Sequence, residues 1–271
     1  MILVVFTTAG VQGEKDTSGQ TFLTVMTCNI GDLAGGQRIA LEMVVDYLKE
    51  TGVPDVLFLQ EVENKKEAEC FSQKLGLPYF VFLNDSKKDI GIAILSKRPL
   101  SNEDQIYFKA SERGAGAIAA DVMVGQAKVL VVNVHLDSVV PVTIAQGKVA
   151  VDLPSILKFV KTEIWGDSVR SRSAGELIYW LGEKKAEHVI MGGDFNTVPF
   201  SKTIRIIGSV FDDALWPTFS YFTGTYKKLD FPVSPRIDFL FFSPNLARRD
   251  ASVLPMSQGD HLPVRASIGV L

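Results

Sequence analysis

Six polar sites interrupt or end apolar runs in this 271-residue chain: Asn29, Glu61, His135, the Asp194 and Asn196 pair, Asp238, and the adjacent Asp260 and His261. Taking ionisable groups out of water costs of order several kcal/mol each unless they find partners or a cation. One acid after a strand is commonly a solvated turn residue, whereas six such sites at the ends of buried strands point to a shared centre. Asp238 makes the sharpest case, because it breaks the run Ile237-Asp238-Phe239-Leu240-Phe241-Phe242. Its carboxylate needs a buried donor, either Arg236 and backbone amides or His261. The second pairing would fix the imidazole tautomer and stabilise the imidazolium, the arrangement of a general base. Oxygen ligands without cysteine suit a hard cation, Mg²⁺ or Mn²⁺, with Glu61 as its principal ligand.

The elements that must carry these residues follow from periodicity. Strands are expected over 22–30, ending at Asn29, over 55–60, delivering Glu61, and over 128–134, delivering His135. Further strands are expected over 79–83, 90–95, 115–124, 188–191, 237–242, 251–254 and 264–268. The 128–134 run is apolar on both faces, as a strand covered on each side should be. Leu41, Val44, Val45 and Leu48 follow helical spacing, and Gly52 with Pro54 stops that helix. A second helix is expected over 65–75. A third, capped by Asp167, would present Ala174, Leu177, Ile178 and Leu181 as one stripe. The segment 138–166 is less regular, and the Gly, Pro and Thr content of 216–235 reads as a long surface loop. Phe219, Tyr221, Phe222 and Tyr226 read as packing residues within it rather than a base-stacking platform. His188 opens a strand at the end opposite Asp194 and reads as structural or solvated.

A net charge of -3 and a pI of about 5.7 give no global basic field, which weakens nucleic acid as a substrate without excluding it. Hydrophobic residues at 46% and charged residues at 22% are ordinary globular usage. Cys28 and Cys70 have no metal-ligand spacing and no disulfide framework, so both are expected as buried thiols. The apolar stretch Met1 to Phe6 is too short to span a membrane. Residues 1–20 are expected to form an arm or the remnant of a signal, followed by a single domain over 21–271. A cytoplasmic location is the expectation, with export open if that segment is a signal remnant.

The polar sites also lie in motifs. Thr27-Cys-Asn-Ile-Gly, Leu59-Gln-Glu-Val, Gly91-Ile-Ala-Ile-Leu-Ser, Val132-Asn-Val-His-Leu-Asp-Ser, Gly193-Asp-Phe-Asn, Arg236-Ile-Asp-Phe-Leu-Phe and Gly259-Asp-His-Leu-Pro-Val occur in that order. The chain therefore resembles the endonuclease/exonuclease/phosphatase superfamily, which includes deoxyribonucleases, apurinic endonucleases, neutral sphingomyelinases and inositol polyphosphate 5-phosphatases. The resemblance implies an α/β fold, a four-layer sandwich of two packed mixed β-sheets flanked by helices, with the site at one edge of both sheets.

It also implies roles. Glu61 looks like the metal ligand, with Asn29 positioning metal or phosphate and Asp260 a further metal-binding or hydrogen-bonding carboxylate. Asp194 and Asn196 look like the pair that contacts the nucleophilic water and the phosphate. Asp238 and His261 look like the base couple, and His135 like a second histidine near the phosphate or leaving oxygen. Arg113 is expected to clamp a phosphate. Apurinic endonucleases carry an acid two places after the asparagine matching Asn29, where this chain has Gly31, so an abasic-site role is disfavoured. The implied reaction is Mg²⁺- or Mn²⁺-dependent phosphoester hydrolysis. Its substrate is a nucleic acid, a phospholipid head group or a small phosphodiester; a phosphomonoesterase or a non-catalytic binding module is the alternative. The segment 138–166 is expected as a lid or substrate-specific insertion. A monomer without an obligate protein partner is expected.

Overall fold

A computed structural model describes residues 21–33, 37–84, 90–138, 143–145, 148–150, 161–227 and 234–270. In chain order the first elements are β1 (Thr21–Asn29), the short pair β2 (Asp32–Leu33) and β3 (Gln37–Arg38), α1 (Leu41–Thr51), β4 (Val56–Val62) and α2 (Lys65–Leu75). Then come β5 (Tyr79–Asn84), β6 (Gly91–Ser96), β7 (Leu100–Tyr107), β8 (Gly116–Val124), β9 (Ala127–His135), β10 (Thr143–Ala145) and β11 (Lys148–Ala150). The remainder comprises α3 (Val169–Lys184), β12 (His188–Asp194), α4 (Lys202–Gly208), β13 (Asp212–Asp213), a 3-10 turn (Phe219–Phe222), β14 (Asp238–Phe242), β15 (Leu246–Val253) and β16 (Val264–Val270).

Two six-stranded sheets result, ordered β15-β16-β1-β4-β6-β5 and β13-β14-β12-β9-β8-β7. Each is mixed. β1 runs parallel to β4 and β9 parallel to β12, and a parallel pair needs a crossover, supplied by α1 in the first sheet and α3 in the second. The period of two in each strand sorts side chains into three cores. Val129 and Val131 of β9 join Val25, Phe58 and Ile190 between the sheets. Leu130, Val132 and Val134 face outward onto Ala174, Leu177 and Leu181 of α3. Leu57 and Leu59 of β4 likewise face outward onto Val44, Val45 and Leu48 of α1. The order helix, sheet, sheet, helix is the expected four-layer sandwich. Phe58 is fully buried at its centre, and truncation to alanine there costs about 3–5 kcal/mol.

Four readings of the sequence change. The helix α3 is capped by Ser168, whose side chain accepts from the Ser171 amide, and Asp167 instead pairs with Lys202. β7 was not expected, because an edge strand wet on both faces carries the polar sequence Leu-Ser-Asn-Glu-Asp-Gln-Ile-Tyr. Phe219 projects into solvent and Phe222 is largely exposed, keeping one edge contact with the buried Tyr221. Cys28 is buried as expected, but Cys70 is only half-buried. The arm 1–20, Lys87 and Lys88, Lys228, and most of the 138–166 insertion lie outside the described residues.

Candidate active site

The inward parity of each strand decides which polar residues meet. In the second sheet His135 pairs in register with Asp194, and Asp194 with Asp238, so three functional groups form one row across β9, β12 and β14. All three continue the inward positions of their strands. In the first sheet Asn29 closes β1 with the same parity. Glu61 would by simple alternation face the outer helices. A register shift between Gln60 and Val62, with Glu61 at φ 60°, turns its side chain back toward the other carboxylates.

The two sheets are tied directly at this end. Asn29 Nδ2 donates to Asp194 Oδ2 at 3.0 Å and to Glu61 Oε1 at 3.3 Å. His261 Nδ1 lies 2.9 Å from Asp238 Oδ2, settling the choice of partner, because Arg236 forms a two-pronged pair with Asp213 instead. His261 Nε2 is 3.8 Å from Asp194 Oδ2. His135 Nε2 stands 3.9 Å from both Glu61 Oε1 and Asp194 Oδ2, beyond direct hydrogen-bond length. Asn196, in the left-handed region that asparagine tolerates, donates its amide N–H to Asp194 Oδ1 at 2.8 Å. Asp260 is buried beside His261 on a turn stapled by Lys227, whose Nζ donates to the Met256 and Gln258 carbonyls. Arg113 is exposed on the turn before β8. Among the described residues no contact ties its guanidinium to this cluster; its amide donates to Asp137 and Ser111.

Two glycines make the geometry possible. A Cβ on Gly31 would lie 1.9 Å from Glu61 Oε2, so any side chain there would displace the carboxylate. A Cβ on Gly193, at φ 153°, would lie 1.9 Å from the Val134 carbonyl oxygen. That contact lets β12 approach β9 closely just before Asp194.

Charge is concentrated here. Burial, and then Asp238, push the Asp194 carboxyl up to about 7, against the opposing pull of His261 and of donors from Asn196 and Asn29. Burial lowers His261, but Asp238, Asp194 and Asp260 outweigh it and raise the imidazole to about 10. The site therefore holds protons tightly, the behaviour of a carboxylate cluster short of positive charge. Burial also pushes the nearby Cys28 thiol up to about 12, so it offers no thiolate. Asp194, Asp238 and His261 offer ligand atoms within 4.8 Å of one another, and Glu61, which accepts from Asn29 Nδ2, adds carboxylate oxygens beside them. The donor set fits a hard divalent cation.

Sequence reasoning missed several supporting residues. Tyr226 bridges His261 through the backbone, and its ring meets the imidazole at 5.0 Å. Burial, with Asp260, Asp194 and Glu61, keeps its phenol protonated up to about 12. One layer deeper Gln60 Nε2 donates to Asn133 Oδ1 at 2.7 Å, and Asn133 Nδ2 donates to the Leu59 and Ala93 carbonyls, so the apolar core ends in a satisfied amide bridge between sheets. Beside the site, buried Arg170 pairs with Glu163 at 2.7 Å and donates to the Asp137 carbonyl, and Thr197 donates to the same Glu163. This ion pair joins the loop after His135 to the loop after Asn196. Gln60 and Asn133 stood inside quoted motifs; Arg170 and Glu163 carried no signal beyond helical context.

The pattern that describes the Endonuclease/Exonuclease/phosphatase family matches residues 26–261. No curated protein matches the chain. Among solved structures it is similar to an endonuclease/exonuclease/phosphatase family protein from Bacteroides thetaiotaomicron, at 18% identity and TM-score 0.67, covering 93% of this chain and 99% of that one. It is also similar to the human Nocturnin catalytic domain with bound sulfate, at 18% identity and TM-score 0.66, covering 93% and 97%. Truncated TDP2 from Caenorhabditis elegans superposes at 20% identity and TM-score 0.63, covering 92% and 98%. These likenesses establish a common fold.

Proposed function

The chain belongs to the endonuclease/exonuclease/phosphatase family, and from that premise we propose that it is a divalent-metal-dependent phosphodiesterase with His261 as general base. The observation that carries this reading is the buried Asp238 to His261 couple at 2.9 Å, aimed toward Asp194. The sulfate on Nocturnin, an oxyanion with the shape of phosphate, supports an anion-binding site in this fold.

A water hydrogen-bonded by Asp194 and Asn196 attacks phosphorus. Its proton passes to Nε2 of His261, while Asp238 holds Nδ1 and stabilises the imidazolium. The new P–O bond forms as the bond to the ester oxygen breaks, and that oxygen takes a proton from solvent with His135 beside it. Asn29 orients Asp194 and Glu61, and Tyr226 covers the imidazole. Glu61, with Asn29 and Asp260 alongside, would hold a Mg²⁺ or Mn²⁺, which would supply positive charge to offset the carboxylates around His261 and the charge developing on the phosphoryl group.

The test is hydrolysis of bis-p-nitrophenyl phosphate with Mg²⁺ or Mn²⁺, wild type beside His261→Ala. Metal-dependent turnover that falls by at least about 10²-fold in the variant is expected. Equal turnover in a folded variant would refute the base assignment, and a preference for p-nitrophenyl phosphate would point to a phosphomonoesterase.

A further inference from the structure

Five large aromatic side chains stand out from the surface near the site. Phe219 is 106% exposed, Phe222 74%, Trp165 72%, Phe200 59% and Trp216 58%. They form one neighbourhood. Buried Tyr221 makes edge contacts with Phe200, Trp216 and Phe222 at 6.1, 4.8 and 4.9 Å. Arg205 donates to the Phe200 carbonyl at 2.6 Å and the Ile164 carbonyl at 2.5 Å, fixing the backbone next to Trp165 against that of Phe200. Beneath them the Arg236 guanidinium lies 4.5 Å from the Tyr221 ring and is pinned by Asp213. Phe200 itself sits at φ 68°, a conformation unfavourable for a bulky residue.

Rings of this size normally dominate cores, and soluble surfaces rarely gather so many in one place. The patch is continuous in the chain with the chemistry: Phe222 lies three residues before Thr225, whose hydroxyl oxygen accepts from the Asp238 amide at 3.1 Å, and Phe200 lies four residues after Asn196. Its edge is cationic. Arg248 donates to the Ala214 and Trp216 carbonyls, and Arg205 to those named above, so both charges are spent on backbone oxygens rather than on carboxylates. A nucleic acid would call for a track of cations along its backbone, which the net charge of -3 does not favour. Exposed aromatics bordered by guanidiniums instead match a lipid surface, with rings at the boundary of the acyl chains and arginines at the depth of the phosphates.

We propose that Trp165, Phe200, Trp216, Phe219 and Phe222 form a docking surface for a phospholipid bilayer, which brings the phosphodiester of a lipid head group to the site. The catalytic consequence rests on the phosphodiesterase reading; the docking does not. The test is co-sedimentation of the full chain with phosphatidylcholine vesicles, with and without phosphatidylserine, wild type beside Phe219→Ser/Phe222→Ser. Thermal melting checks that the variant folds. Partitioning of the wild type is expected, falling at least about tenfold in the variant, while turnover of soluble bis-p-nitrophenyl phosphate stays within about twofold. Absence of wild-type partitioning, or equal partitioning of the variant, overturns the proposal. So does a variant that keeps vesicle binding and loses binding to a single-stranded oligonucleotide. Vesicle binding without hydrolysis of the soluble ester would leave the docking standing and sink the reading of the site.

Discussion

The strand β12 has two very different ends. At its start His188 is half-buried among surface pairs such as Lys128 with Asp121 at 3.3 Å, where the lysine is 61% exposed, and Lys184 with Asp104. At its finish Asp194 is 1% exposed and meets Asn29 and, at longer range, His261 and His135. Histidine, aspartate and glutamate occur at both ends. Residue type therefore does not make a site: inward parity, burial and convergence from both sheets do. Water screens the charges at the first end, whereas at the second burial, and then the Asp238 charge, raise Asp194 to about 7.

The comparison breaks most visibly in turnover. Asp194→Ala should lower phosphodiester hydrolysis by at least about 10²-fold, and His188→Ala should leave it within about twofold. Similar losses at the two ends, measured on folded variants, would sink the distinction. Next in size is stability. Arg170→Ala strands buried Glu163 and should cost about 3–5 kcal/mol in urea unfolding, whereas Lys128→Ala at the exposed end should cost at most about 1 kcal/mol.

A smaller effect sharpens the electrostatic half of the contrast. Both Asp194 and His261 have folded pKa values raised above their ordinary 3.8 and 6.5, so the folded metal-free protein binds more protons than the unfolded chain. Its stability should accordingly fall as pH rises, from about 4 to 7 through Asp194 and from about 6.5 to 10 through His261. Urea midpoints across that range, with EDTA and then with Mg²⁺, measure it; a steeper fall with Mg²⁺ than with EDTA would contradict a cation among these carboxylates. The smallest effect is a difference in rate. Cys70 should react with a thiol reagent in the native protein, while Cys28, raised to about 12 and buried beside the site, should react only on unfolding.

Much of this was written in the strands. Runs such as Lys128 to Val134 are apolar on both faces and stop at a polar residue, so the covering layers and the contents of the site could be read together. The glycines of Gly192-Gly193-Asp194 were legible as a motif, although the backbone approach that requires Gly193 was not. What escaped has a common cause in context. β7 is polar because both of its faces are wet. Arginine and glutamate are ordinarily exposed, so Arg170 and Glu163 give no sign of a pair 2% and 1% exposed on their side chains. The outward stance of Phe219 and Phe222 follows from a 3-10 turn whose packing centre is Tyr221, and aromatic content alone cannot separate a ring that packs from one that projects.

The Arg170 to Glu163 pair also sets the unit in which this region can be exchanged. An engineer grafting residues 138–166 from a relative would bring a new residue 163 but leave Arg170, the Asp137 carbonyl and Thr197 in place. Unless the donor segment supplies a carboxylate at that point, the chimaera inherits a buried guanidinium without its acid and a hydroxyl without its acceptor. The exchangeable cassette therefore runs from Asp137 to Thr197 and includes α3 and β12. Libraries aimed at new substrates should exchange that block as a unit with Asp194 and Asn196 retained, or keep position 163 acidic.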